Sequence, residues 1–394
     1  MKNATSGRKI ACPRLFSDKG ELLRNAVVEF DPHGKVISVQ SNVDNLDSLP
    51  AVEYYNGILI PGMVNAHCHL ELSYFKGLIP QHTGLVGFVK HVITHRNDYS
   101  IPERVKALQF QDKAMWNEGV QAVGDISNDP FSFETKASSP VYYHTFVEYF
   151  GMPPVEKAHE IYDHTTEIAG EGHRLNIPAT PTPHSTYLVS DSLFKMGAGS
   201  PRLSIHFMET PSEVDLFERK GGMYDYLIES GMEPDFLHYG SHSARLVESL
   251  HEDTPMLLVH NTMIHRDDVQ RIMEHFKDVT FVLCPRSNYY IEKSFPPAVM
   301  LRDMGCRVAL GTDSLSSNTS LSVTDEIKWL LANNPALSLE TVLGWATIGG
   351  AEGLGIGSQI GSFTKGKIPG AVLLTDIDWK NMSLTDKTQG KRIL

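Results

Sequence analysis

The chain has 394 residues, 41% of them hydrophobic and 21% charged, an ordinary globular composition able to bury a large core. Its formal net charge is −12 and no basic stripe interrupts the acidic balance, which disfavours nucleic acid as a partner. No apolar run nears the roughly 20 residues a membrane helix needs, and the opening MKNATSGRKIACPRLF lacks a signal-peptide core, so a cytoplasmic protein with no membrane partner is expected. Cys12, Cys68, Cys284 and Cys306 stand far apart without a CxxC pair, which argues for free thiols rather than a cysteine-bound zinc.

In chain order, residues 26–30 and 36–39 read as strands joined by the turn Asp31-Pro-His-Gly34, and nothing from 8 to 55 has helical periodicity. Residues 57–67, 120–125, 141–146 and 175–180 then read as strands, followed by 203–207, 256–260, 279–284 and 308–312. Amphipathic stretches such as 102–117, 267–275 and 322–331 lie between them. Eight strands alternating with helices predict an α/β fold, a (β/α)8 barrel over residues 56–357. An open doubly wound sheet is the alternative, disfavoured because no GxGxxG follows the first strand. Residues 371–375 return to strand character, and 391–394 can form another. Neither end is long enough for a stable sheet alone, so 1–55 and 358–394 are expected to combine into one small β-sandwich domain.

The unusual polar residues fall at the ends of these strands. His67 and His69 end the first, and an i, i+2 pair projects from one face and can chelate one ion. His206 ends the fifth strand, His260 the sixth, and Asp313 follows the eighth. Barrel active sites are built at these carboxyl ends. A lone strand-end histidine is more often a satisfied polar residue, but five converging positions are hard to obtain by chance. Three imidazoles and a carboxylate suit one divalent metal, Zn2+ first and Fe2+ second, with a position open to water. Glu209, three residues after His206, reaches back over such an ion as a proton shuttle if the chain turns helical there. It is equally a carboxylate settled at a helix N-terminus. His238 and His242 lie four apart in a Gly/Ser-rich loop and fit a cleft wall better than a metal pair. Tyr74, Phe75, His91, His95 and Arg96 either close over a substrate or belong to a helix packed on the barrel.

Taken together, Pro61-Gly-Met-Val-Asn-Ala-His-Cys-His-Leu70, Ile205-His-Phe-Met-Glu-Thr210, Leu258-Val-His260, Cys284-Pro-Arg-Ser-Asn288 and Gly311-Thr-Asp-Ser314 resemble the strand-end motifs of the amidohydrolase superfamily, in its deaminase and chlorohydrolase branch. The resemblance implies His67, His69, His206 and Asp313 as metal ligands. It implies Glu209, His260 and Asp313 as catalytic residues: Glu209 carrying a proton to a ring nitrogen, His260 holding the attacking water, Asp313 taking its proton. Thr182-Pro-His-Ser185 is similar to the branch's fourth-strand motif and implies that His184 touches substrate. Ser287 and Asn288 are expected there too, and so is Glu71, which resembles a residue of aminofutalosine-type deaminases. Binuclear members use a carboxylated lysine ending the fourth strand; this chain has none there, so one metal is expected. The segment Gly361–Gly370 departs from the family pattern in lacking its Asp before the returning strand.

The implied activity is hydrolytic deamination of an aminated heteroaromatic ring, in a nucleoside-like compound or base, by metal-bound hydroxide. The alternatives are chlorohydrolase or cyclic-amide hydrolase chemistry at the same site, or a non-catalytic barrel. The expected partner is a small-molecule substrate, with a homodimer by family analogy.

Overall fold

Apolar runs such as Met256-Leu-Leu-Val-His260 and Val308-Ala-Leu310 are buried along their whole length, as parallel strands sheathed by helices must be. The computed structural model describes residues 7–46, 49 and 51–394; the first six residues of the N-terminal segment lie outside them. The barrel strands are Met63–Cys68, Val120–Ser127, Tyr142–Tyr149, Ala179–Pro183, Leu203–Phe207, Met256–His260, Val279–Leu283 and Val308–Leu310. Helices follow them, among them Ile101–Glu118, Val155–Arg174, Arg266–His275 and Val323–Asn333. Ile101–Glu118 begins at a capping box, with the Ser100 amide donating to the Glu103 carboxylate at 2.8 Å, and ends at Gly119 in the left-handed region (φ 111°).

Parallel pairing links strands one to four, with register shifts at Met63/Val64 and Asn65/Cys68, and again links strands five to eight. At two seams the halves meet through isolated bridges, Ser185 with His206 and Cys68 with Asp313. The fourth strand explains the first seam. It reads Ala-Thr-Pro-Thr-Pro, and prolines 181 and 183 have no N–H to give to a ladder. Thr182 compensates, its hydroxyl donating to the Ser204 carbonyl at 2.8 Å and accepting from the Ser204 amide at 2.9 Å. At the second seam the Asn65 amide group does the same for Thr312, accepting from its N–H at 3.0 Å and donating to its hydroxyl at 2.8 Å.

Several expected strands differ in their bounds, two of them for a reason the backbone shows. The run 57–67 is divided: Ile58–Ile60 belongs to the terminal sheet and Met63–Cys68 to the barrel. The break is at Pro61-Gly62, where a Cβ on Gly62 would meet the Pro369 carbonyl oxygen at 2.6 Å. The fourth strand begins at Ala179 rather than 175, because Leu175 caps the preceding helix, its N–H bonded back to the Gly172 carbonyl.

The two chain ends meet in one seven-stranded sheet, ordered Gly390–Arg392, Val372–Leu374, Ile58–Ile60, Arg8–Phe16, Leu22–Phe30, Val36–Gln40, with Glu53–Tyr54 also pairing Arg8–Phe16. Its core includes Ile10, Leu15, Val28, Phe30, Leu59 and Phe363. All four cysteines are free. Among the described residues no helix is long and apolar enough to cross a membrane.

Candidate active site

His67 is the penultimate residue of the first strand, and His69 sits just beyond it, before the short helix Leu70–Phe75. The turn is held by Asp125, which accepts the Leu70 N–H at 2.8 Å and pairs with the fully buried Lys136 at 2.6 Å. His206 lies on the fifth strand and Asp313 just past the eighth. His260 and Asp313 both adopt left-handed backbone, φ 78° and 55°, a region uncommon for non-glycine residues.

This brings four donor atoms together. His69 Nε2 is 3.1 Å from His67 Nε2 and 3.3 Å from His206 Nε2, and Asp313 Oδ1 lies 3.4 Å from His69 Nε2 and 3.7 Å from His67 Nε2. Ligands about 2.1 Å from a tetrahedral ion are separated by about 3.4 Å, so the spacing fits a shared cation. His206 Nδ1 donates to the His184 carbonyl at 2.8 Å, leaving its Nε2 lone pair free for the shared point. Burial holds the His69 and His206 pKa values down, for His206 well below the usual range. Burial acts to raise Asp313, but the hydrogen bond with His67 and the surrounding imidazoles outweigh it and hold the carboxylate well below its ordinary value. A neutral-imidazole, ionised-carboxylate set is the form that binds a metal.

Ser287 and Asn288, expected at the substrate, are placed behind these groups. The Ser287 hydroxyl donates to Asp313 Oδ2 at 2.6 Å, joined there by Ser317, so Oδ1 is left facing the histidines. Asn288 Nδ2 is 3.0 Å from His260 Nδ1. Both begin the helix Pro285–Glu292, which points them at the back of the site rather than into the cleft. Glu209 is buried, with Oε1 3.7 Å from His260 Nε2, and lies outside the four-donor set. It stands before, not within, the helix Pro211–Leu216, whose capping Glu213 accepts the Glu209 and Thr210 amides. Burial first, then Glu213 and Asp313, pushes the Glu209 pKa well above the usual carboxylate range.

His184 lines the cleft and donates from Nδ1 to Glu148 Oε1 at 2.9 Å. Glu71 is also a cleft residue, accepting the Asn128 backbone N–H at 3.0 Å, and burial raises its pKa to about 8. Glu148 and Asn128 were not singled out from the sequence. The Asn128 amide bridges Glu71 and Glu148 at 3.2 Å to each. The cleft has a volume of 350 Å³. Leu85, Phe88, Val89, Val92 and Ile93 line it from one stripe of the helix Gly84–His95, facing Met223 and Tyr226. Arg96 and Tyr74 also line it, whereas His91 and His95 turn to Gly87 and Asp98. His238 is exposed and packs on Tyr239, and His242 is buried between Thr186 and Glu213.

Residues 58–389 match the model of the Amidohydrolase family. The chain is similar to the adenosine deaminase of Helicobacter pylori, 27% identical over 354 residues, which span 87% of this chain and 85% of that protein. Its fold is similar to that of Helicobacter pylori aminofutalosine deaminase in complex with methylthio-coformycin: TM-score 0.78, 23% identity, covering 98% of this chain and 100% of that one. It is also similar to that of atrazine chlorohydrolase from Arthrobacter aurescens complexed with zinc: TM-score 0.72, 18% identity, covering 96% and 92%.

Proposed function

The chain belongs to the amidohydrolase family, and from that premise we propose that it is a hydrolase of non-peptide carbon–nitrogen bonds that deaminates an aminated heteroaromatic ring in a nucleoside-like compound or base. One divalent metal, Zn2+ first and Fe2+ as the alternative, would be held by His67, His69, His206 and Asp313. When bound, such an ion is a Lewis acid that activates water at neutral pH.

The observation that carries the reading is the place of Glu209: a buried carboxyl beside the four donors, 3.7 Å from His260 and not part of the set, its pKa pushed up by burial. Ring attack needs a proton on nitrogen as the new bond forms, and a carboxylic acid kept neutral by burial can deliver it. The water oxygen bonds to the ring carbon bearing the amino group while Glu209 protonates the adjacent ring nitrogen. His260 orients the water and Asp313 takes its proton. The C–N bond then breaks and ammonia leaves with one proton of the water, the other returning to Glu209. His184, oriented by Glu148, and Glu71, oriented by Asn128, are placed to contact substrate. The nearby Ser287 and Asn288 orient Asp313 and His260. The apolar stripe of the helix Gly84–His95 supports a substrate with an apolar substituent beyond the ring. The similarity to an adenosine deaminase supports ammonia as the leaving group.

The same reading takes 56–357 as the catalytic barrel, 1–55 and 358–394 as one small β domain, and a homodimer by analogy, which sedimentation at monomer mass would remove. The function is tested by metal analysis followed by an ammonia-release screen over adenosine, 5′-substituted adenosines, guanine, cytosine and pterins. Chloride release from a triazine without ammonia from any amine would overturn deamination. Full metal with no turnover at all would favour a non-catalytic barrel.

A further inference from the structure

The helix His242–Ser249 stands outside the cleft, yet two of its side chains grip the Thr186–Ser190 loop, and His242 also grips the helix Pro211–Leu216. His242 donates from Nε2 to the Glu213 carbonyl at 2.9 Å and accepts the Thr186 hydroxyl at Nδ1, 2.8 Å away. One turn on, Arg245 is entirely buried. Its guanidinium donates to the carbonyls of Thr186 at 2.9 Å, Val189 at 2.7 Å and Ser190 at 3.2 Å. It is sandwiched between the rings of Phe236 at 3.8 Å and Phe194 at 4.4 Å. Among the described residues no carboxylate oxygen lies within the 4.0 Å of an ion pair; Asp191 and Asp235 act only at longer range.

A guanidinium buried on carbonyls and ring faces, without a counter-ion, is an expensive way to fill a space that an apolar side chain would fill at less cost. What it supplies that an apolar residue cannot is a planar fork holding three carbonyls in one geometry. The segment so held, Thr186–Ser190, carries Tyr187 and Leu188 into the cleft and follows directly from His184.

We propose that Arg245 is a positioning residue for substrate specificity, fixing the Thr186–Ser190 loop so that Tyr187 and Leu188 form one wall of the substrate cleft. The kinetic part of this rests on the deaminase reading; the structural part does not. Arg245→Met keeps the length and the contacts with Phe194 and Phe236 but cannot bind carbonyls. In this variant, hydrogen exchange of the peptide spanning 184–190 should quicken at least tenfold, with metal content near wild type and a melting temperature lowered only as far as the lost carbonyl bonds require. With 5′-methylthioadenosine and adenosine as probes, KM should rise at least tenfold while kcat stays within threefold. Arg245→Lys, which cannot span three carbonyls, should fall between the two, and it carries the test if the methionine variant does not fold. Unchanged exchange in both variants, or a parallel loss of metal, kcat and KM effects through the whole fold, overturns the proposal. A wild-type enzyme inactive on both probes would fault the proposed substrate class, while the exchange result would still decide the role of Arg245.

Discussion

Glutamine in place of Glu209 separates proton delivery from metal binding. The substitution keeps the side chain's shape but leaves an amide that does not hand over its proton. No Glu209 atom belongs to the four-donor cluster of His67, His69, His206 and Asp313, so metal content by mass spectrometry should remain near wild type. The chemical step should slow by about 10²–10⁴-fold, the usual worth of a positioned acid, or about 2.7–5.5 kcal/mol of barrier. Burial, with Glu213 and Asp313, raises the Glu209 pKa, and the step uses the protonated form. Wild-type activity should therefore fall as pH rises through that raised pKa, and Glu209→Gln should lack this alkaline limb. His206→Ala is the contrast: a donor is removed, and metal and activity should drop together. Loss of metal in Glu209→Gln would make Glu209 structural. Full turnover on the true substrate would mean that His260 or Asp313 carries the proton.

Ser317→Ala should weaken metal affinity about 10–100-fold, because Asp313 Oδ2 loses one of its two hydroxyl donors and the carboxylate is freed to rotate. A competition titration with a chelator checks it, and wild-type affinity would refute it. Glu213 is buried with Oε2 unpartnered, and burial pushes its pKa from 4.5 to about 8. The folded state thus holds this proton more tightly, so its contribution is intact below about pH 4.5 and is lost as pH rises to about 8. Glu213→Gln, whose remaining oxygen can still accept the Glu209 and Thr210 amides, should remove a pH-dependent loss on the order of a few kcal/mol. Urea denaturation at pH 5 and pH 8 reads it; an unchanged difference between the two pH values would show that the slope has another source. Chelation should lower the melting temperature and quicken exchange of the His206, Thr312 and Asp313 amides, since metal at about 100 times its Kd stabilises the folded state by about 2.7 kcal/mol. Identical exchange with and without metal would disprove that link.

What the sequence disclosed depended on where chemistry met periodicity. His67, His206, His260 and Asp313 stand at or beside the ends of buried apolar runs, where a polar residue is conspicuous, and the structure gathers donor atoms of His67, His206 and Asp313 with His260 stacked beside them. Glu148 is equally a strand-end carboxylate, but the expected third strand stopped at 146 and left it among loop residues, whereas the strand runs to Tyr149. Ser317 sits in the run Ser314-Leu-Ser-Ser317, which has no period to say which hydroxyl turns inward. The stripe Leu85, Phe88, Val89, Val92 and Ile93 has helical spacing, but spacing cannot tell a face packed on a core from one that lines a cleft. Prolines 181 and 183 obscured the fourth strand for the same reason that they break its ladder.

That broken ladder bears on why the site lies where it does. The barrel consists of two half-sheets, each internally paired, joined at their carboxyl ends by few backbone bonds. At one seam the His206 N–H donates to the His184 carbonyl at 2.9 Å. At the other, Thr312 and Asp313 donate to the His67 carbonyl at 3.0 and 3.1 Å. The donor cluster divides the same way: His67 and His69 come from the first half, His206 and Asp313 from the second. An ion at their centre would therefore bind both halves at once, and the geometry that brings the donors within reach is the geometry that closes the barrel. The left-handed backbone at His260 and Asp313 belongs to this arrangement. His260 pairs with Phe207 at the last rung of its ladder and Asp313 bridges Cys68 just past the eighth strand, so the backbone turns left-handed where the ladder stops.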